Sequence, residues 1–165
     1  MIQQKLINKN IIISAAADGI GWCIAEFCLK EGANVYISDF NENKISLRKK
    51  HVQYDKNLFI KSMDARDFQS VKKYFLEIKN NISSIDGLIN NVGIAGPTGK
   101  IEDLKIDEWK NTVETNINSH FYFIKYAIPF FKEKGGSIIN LSSTAGLFGF
   151  PLRSPYAVSK WATNG

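Results

Sequence analysis

The chain has 165 residues, of which 44% are hydrophobic and 22% charged, and a chain of this size buries roughly 70% of the surface its unfolded form exposes, which excludes a disulfide-stapled miniprotein and a disordered segment. Its 21 basic residues outnumber 16 acidic ones for a net charge of +5, but the lysines are scattered, and the densest cluster, Arg48-Lys49-Lys50-His51, is too short to be the basic, aromatic-interleaved stripe of a nucleic-acid surface. No run approaches the ~20 apolar residues of a membrane-spanning helix, and the opening Met1-Ile2-Gln3-Gln4-Lys5-Leu6 lacks the layout of a signal peptide, so a cytoplasmic protein without nucleic-acid or membrane partners is expected.

No repeat, low-complexity tract or linker interrupts the chain, and residues 1–165 are read as one domain. Short β-rich apolar runs predict strands at Asn10 to Ser14, Ala33 to Asp39, Leu58 to Met63, Ile85 to Asn91 and Ser137 to Ser142. Between the first two, helical period places Ile20, Ile24, Phe27 and Cys28 on one face; between the third and fourth it groups Val71, Phe75, Ile78 and Ile82. Cys23 and Cys28 are five apart, a spacing that fits neither a redox pair nor a zinc site, and both are expected to be buried apolar fillers. No metal site is expected. A long helix is predicted from about Ile106 to Lys132, with Trp109, Val113, Phe121, Ile124 and Ile128 inward and Pro129 ending or kinking its last turn. This alternation is that of an α/β fold, a parallel doubly wound sheet with helices on both faces.

The first strand runs into Ser14-Ala15-Ala16-Ala17-Asp18-Gly19-Ile20-Gly21, where only small residues lie between a strand and an amphipathic helix. A diphosphate can approach backbone only where side chains are nearly absent, and a helix start offers unpaired N–H groups and positive dipole. A tight strand-to-helix turn explains the same residues. Asp39 ends the next strand, about twenty residues after the glycines, where an acid accepts hydrogen bonds from the adenosine ribose and repels a 2′-phosphate. With Asp18 as a second negative group, NAD is favoured over NADP.

Near the carboxyl end Ser142-Ser143 closes a strand, Tyr156 follows thirteen residues after Ser143, and Lys160 four after that. Ser154-Pro155 has the cap and first-turn chemistry of a helix start, which puts Tyr156 and Lys160 one turn apart on one face. A phenol with an ordinary pKa of about 10 becomes a usable acid or base beside an ammonium. The bare Tyr-x-x-x-Lys pattern also occurs by chance in many helices.

Taken together these motifs resemble the short-chain dehydrogenase/reductase family in its classical branch, from Lys9 to the last residue. The family's Thr-Gly-x-x-x-Gly-x-Gly is Ser14-Ala15-x-x-x-Gly19-Ile20-Gly21, with alanine for the first glycine; Asn90-Asn91-Val92-Gly93 is similar to its Asn-Asn-Ala-Gly, Asp64 with Ala65 beside it to its adenine-contacting acid, and Asn116 to the asparagine of its central helix. The resemblance implies a three-layer Rossmann fold of strand order 3-2-1-4-5, a nicotinamide cofactor held by Ser14, Asp18, Gly19, Ile20, Gly21, Asp39, Asp64, Ala65, Asn91, Gly93, Tyr156 and Lys160, and hydride transfer to or from a carbon bearing a hydroxyl or carbonyl oxygen. Tyr156 would be the acid or base, Ser143 would hydrogen-bond the reacting oxygen, Lys160 would bind the ribose and tune the tyrosine, and Asn116 would hold a relay water.

Relatives continue past Gly165 into further strands, so the domain is expected to be incomplete at its carboxyl end, with a fifth strand left at the sheet edge and about two turns of the catalytic helix. The substrate is a small alcohol or carbonyl compound of unspecified class, with Gly96-Pro97-Thr98 and Phe148 to Arg153 marking two walls of its pocket. A homo-oligomer, or association with a full-length relative through the central and catalytic helices, is expected. The alternative is a non-catalytic nucleotide-binding or assembly module, or an inactive fragment.

Overall fold

The computed structural model describes residues 4–50, 56–131 and 135–165. His51 of the basic cluster, Lys132 at the expected end of the long helix, and the first three residues of the amino-terminal hexapeptide lie outside them. In chain order the elements are β1 (Asn10–Ser14), α1 (Gly19–Lys30), β2 (Asn34–Asp39), α2 (Glu42–Arg48), β3 (Leu58–Ser62), α3 (Phe68–Lys79), β4 (Gly87–Asn90), α4 (Ile106–Val113), α5 (Ser119–Phe131), β5 (Ser137–Asn140) and α6 (Ser154–Asn164). The five strands form one sheet in the order β3-β2-β1-β4-β5, and every pair is parallel. Strand order and parallel pairing agree with the expectation from sequence, and the strands are trimmed by one to three residues in all but β1.

Alternation along β1 divides the core. Ile11 and Ile13 pack with Trp22, Ala25 and Leu29 of α1, and with Val35 and Ile37 of β2, whereas Ile12 points the other way into Tyr36, Val71, Phe75, Leu88, Phe123 and Ala127. The second cluster carries an aromatic contact between α3 and α5, Phe75 edge-on to Phe123 at 5.7 Å, a geometry that adds to simple burial. α3 buries Val71, Phe75 and Ile78 as its spacing predicts, with Ile82 partly covered, and Asp67 caps its start by accepting from Gln69 and Ser70 N–H.

Two helices turn a different face inward from the one their large apolar residues suggest. α1 buries Gly21, Trp22, Ala25, Cys28 and Leu29, leaving Ile20 and Phe27 each 66% exposed. Trp22 supplies more apolar area than either of them and sets the rotation of the helix. Cys28 is buried as expected, but Cys23 is exposed. In the long helical stretch Phe121 is 57% and Ile128 42% exposed; Trp109, Val113 and Ile124 are half-buried. The inward face is instead Thr112, Thr115, Asn116, Ser119, His120, Phe123, Ala127 and Phe131. A widened π-type turn at Glu114–Asn118 joins α4 to α5, and its extra residue per turn changes the phase, so one 3.6-residue stripe cannot describe both halves. α5 continues past Pro129 to Phe131.

α6 has 11 residues, about three turns rather than two. Arg153, not Ser154, holds its cap position, and Pro155 lies in its first turn. The helix is docked by the Ser142 hydroxyl donating to Lys160 O at 2.9 Å and by Asn164 Nδ2 donating to Gly146 O at 2.7 Å. Gly146 is needed there, since a Cβ would stand 2.5 Å from Lys160 O. Among the described residues β5 has β4 as its one strand neighbour.

The turn after β1 places Ala15 at φ +50°, a left-handed conformation that costs a non-glycine residue about 1 kcal/mol or slightly more. Ala15→Gly relieves this strain but gives the unfolded chain more freedom; we expect a net rise in Tm of roughly 1–2 °C by calorimetry, with Ala15→Val lowering it. His120 is buried on α5, its Nε2 donating to Val92 O at 2.9 Å. Burial pushes its pKa down, the bond to Val92 O opposes that, and the Lys160 charge adds to the lowering. The folded state therefore refuses a proton that the unfolded state takes at about pH 6.5, so stability falls as pH drops below that value, by at most about 1.4 kcal/mol per pH unit. Comparing urea midpoints at pH 7.5 and 5.5, His120→Gln should show a smaller loss than the native chain.

Candidate functional site

The sheet changes its direction of winding between β1 and β4, and the crevice beyond the strand ends at such a point is where ligands bind in open α/β sheets. It is held by a reciprocal clamp. Ser14, fully buried, accepts through Oγ from Asn91 N–H at 3.0 Å and Val92 N–H at 3.2 Å, and Asn91 Nδ2 donates to Ser14 O at 3.1 Å and Ala15 O at 2.7 Å. A Cβ on Gly21 would lie 2.5 Å from Asn91 Nδ2 and 2.8 Å from Ala15 O, so that glycine lets α1 close on the clamp. Gly19, at φ +55°, has nothing within 4 Å of its Cβ position, leaving open space over the α1 amino terminus.

Beside the turn lies a cleft of about 300 Å³. It gathers Asp39, Asp64, Ala65 and Gly93 from the residues predicted, together with Ala15, Ser38, Phe40, Arg66 and Thr115. Asp39 is only 8% exposed; one carboxylate oxygen accepts from Ala17 N–H at 3.0 Å and the other from Asn41 N–H at 2.9 Å. A carboxylate has about four acceptor positions, so two remain for a ligand while the other two pin the turn. The Ser38 hydroxyl is buried on the cleft wall without a partner among the described residues. An orphaned hydroxyl, a half-used carboxylate and an open helix start together fit the ribose and diphosphate of a dinucleotide.

Asp18 lies outside this cleft, on the exposed groove along α1 that Gly19 and Ile20 also line. Its carboxylate is 2.8 Å from Lys44 Nζ and 3.7 Å from Arg48, and Lys44 holds its pKa below the usual range. The second negative group read from the sequence is therefore matched by two cations. Arg48 also donates through Nε to Ala17 O at 2.8 Å and stacks 4.3 Å over Trp22, so this member of the basic cluster is part of the turn. Asp64 is paired with Arg66 at 2.6 Å, which holds its carboxyl below the ordinary range, and Arg66 donates to Asn111 Oδ1 at 2.8 Å. Sequence reasoning missed Arg66, although its place between the end of β3 and the Asp67 cap of α3 puts it at the ligand edge of the sheet.

Gly93 connects this half to the other. A Cβ there would be 3.5 Å from both Asn116 Oδ1 and Lys160 Nζ. Asn116, fully buried in the π-type turn, accepts from Ile94 N–H at 2.8 Å and donates to Ile94 O and Ser159 Oγ at 2.9 Å each. Lys160 is 5% exposed and donates to Leu141 O at 2.7 Å, with two further donors in hand; burial pushes its pKa down. Its Nζ is 5.7 Å from the centre of the half-buried Tyr156 ring. Ser143 Oγ accepts from Ala145 N–H at 3.2 Å, which leaves its O–H free to donate.

The sequence profile of the short chain dehydrogenases matches residues 9–165. The chain is 35% identical to trans-4-hydroxycyclohexanecarboxylate dehydrogenase of Sinomonas cyclohexanicum, over 99% of this chain and 66% of that protein, and 32% identical to 3beta-hydroxysteroid dehydrogenase of Mediterraneibacter gnavus, over 99% and 60%. It thus spans about three fifths to two thirds of the length of these relatives. Among solved structures it superposes on ElxO with bound NADP at TM-score 0.87 and 29% identity, covering 94% of this chain and 64% of ElxO. The short chain dehydrogenase of Shigella flexneri superposes at 0.91 and 26%, covering 99% and 66%. The chain belongs to the short-chain dehydrogenase family.

Proposed function

We propose that the chain binds NAD and takes part in the oxidation of a secondary alcohol, or the reduction of its ketone. The observation that carries this reading is the meeting at Gly93 of Lys160 and Asn116 with the crevice clamped by Ser14 and Asn91, which supports a common pocket for a nucleotide and a reacting oxygen. The relatives named as hydroxyacid and hydroxysteroid dehydrogenases support the reaction class.

A bound nicotinamide supplies the hydride acceptor or donor. Gly19, Ile20 and Gly21 would offer main-chain N–H groups to the diphosphate, Asp39 its two spare acceptor positions to the ribose hydroxyls, and Asp64 and Ala65 the wall against the adenine. The two free donors of Lys160 suit the vicinal hydroxyls of the second ribose. Tyr156 would act as general base in oxidation, its deprotonated oxygen taking the proton of the substrate alcohol, and as general acid in reduction, its O–H returning it, while the O–H of Ser143 donates to the same oxygen. Because the Asn116 amide is committed to Ile94 and Ser159, that residue would fix the π-type turn and offer at most one Oδ1 lone pair to a relay water.

With NAD and a panel of secondary alcohols, absorbance of reduced cofactor should rise, and Tyr156→Phe should lower kcat by about a hundredfold or more. Stabilisation by nucleotide with no turnover of any alcohol would instead favour a binding module. NAD is preferred here over NADP because Asp39 faces the cleft; the pairing of Lys44 and Arg48 around Asp18 and the NADP bound by ElxO favour the reverse. Thermal shifts decide between them: a larger shift with NAD, with the gap narrowed by Asp39→Ala, is expected, and equal or reversed shifts assign NADP.

A further inference from the structure

The loop between β5 and α6 holds a cation that the proposed reaction leaves unused. Arg153 has its guanidinium carbon 5.8 Å from the Phe150 ring centre and 5.7 Å from that of Tyr156. Its Nη2 donates to Ala95 O at 2.7 Å, and the neighbouring Leu152 O accepts from Gly99 N–H at 2.9 Å. These two bonds tie the Phe148 to Arg153 segment to the Ala95 to Gly99 segment, the two walls between which the substrate is expected. Leu152 is held at φ +60°, a conformation that a branched-chain residue adopts only when its surroundings impose it.

No carboxylate among the described residues pairs with Arg153, and its Nε is buried without a hydrogen-bond partner. A tether to one carbonyl needs only a neutral amide, whereas a partly desolvated permanent cation without a counter-charge is costly. The guanidinium lies beside two aromatic rings, and beyond the bond from Nη2 to Ala95 O its terminal Nη1 and Nη2 groups keep donors that match the two oxygens of a carboxylate.

We propose that Arg153 binds a carboxylate on the substrate, so that the preferred substrates are hydroxy acids, or the corresponding oxo acids, carrying the acid group a few bonds from the reacting carbon. This rests on Tyr156 being the proton-transferring group, because Arg153 is placed by its contact with that ring.

The test compares 3-hydroxybutyrate and 4-hydroxycyclohexanecarboxylate with their methyl esters, which keep the reacting carbinol and lose the charge. In the native chain kcat/KM should favour each acid over its ester by about tenfold to hundredfold. Arg153→Met should bring that ratio towards one, chiefly through KM, and Arg153→Lys should restore part of it. Binding is read separately, by ligand-observed NMR of each acid and ester with the intact protein, together with circular dichroism of both variants to establish that they fold. Acid binding that Arg153→Met removes while neither partner is turned over would overturn the oxidoreductase reading and support the anion site. Turnover abolished by Tyr156→Phe but with acid and ester alike, or acid binding unchanged in Arg153→Met, would overturn the anion site and leave the oxidoreductase reading in place. If Arg153→Met unfolds, Arg153→Lys decides alone, an unchanged acid-to-ester ratio counting against the proposal.

Discussion

The arrangement depends on the clamp between the ends of β1 and β4. Parallel strands that diverge where the winding reverses leave two rows of main-chain groups that need partners, and Ser14 and Asn91 satisfy them with four hydrogen bonds across the gap. Because these side chains are spent on the backbone, the space above them is walled rather than collapsed. Gly21 lets α1 come down beside the clamp, Asp39 anchors the same turn from the other side through Ala17 N–H, and Gly93 carries the floor across to Lys160 and Asn116. A crevice built this way is ready before any ligand arrives, and that readiness lowers the ordering cost of binding.

Much of this was legible in the chain because it rests on local pattern. Five apolar runs with helical segments between them give the parallel sheet, and α3, whose apolar residues keep one period from Val71 to Ile78, packs as it reads. The failures have physical causes. In α1 a single Trp22 outweighs Ile20 and Phe27 in choosing the buried side and carries Cys23 outward with it. In the α4 to α5 stretch the face towards the sheet is built from Thr112, Thr115, Ser119 and His120, whose polarity suits a site-lining surface more than a core, and the π-type turn resets the phase between them. A periodicity argument sees neither effect.

The candidate site divides in the same way. Small residues after β1, an acid ending β2, and Tyr156 with Lys160 one turn apart are readable as spacings. What each side chain already does inside the protein is not. Asp39 and Ser143 each give part of their hydrogen-bonding capacity to the fold and keep part back, so the same atoms serve stability and ligand. Asp18 looked like an isolated negative group until the cations of α2 came beside it, and Arg66 and Arg153 each join a near neighbour, Asp64 or Tyr156, to a partner distant in sequence, Asn111 or Ala95, that spacing does not reveal.

The position of each strand within the sheet has a bearing on how the two halves of the crevice would behave. β1 has a strand on either side, and the residues proposed to receive the diphosphate and first ribose follow it or end its neighbour β2, with Asp64 and Ala65 after β3, whereas Lys160 is tethered to the carbonyl of Leu141 just past β5, which among the described residues pairs with β4 alone. A substitution in β5 therefore reaches the lysine through one carbonyl, while the turn after β1 is braced separately by Ser14, Asn91 and Asp39, and the two ends of the crevice are free to diverge independently in descendants of this sequence.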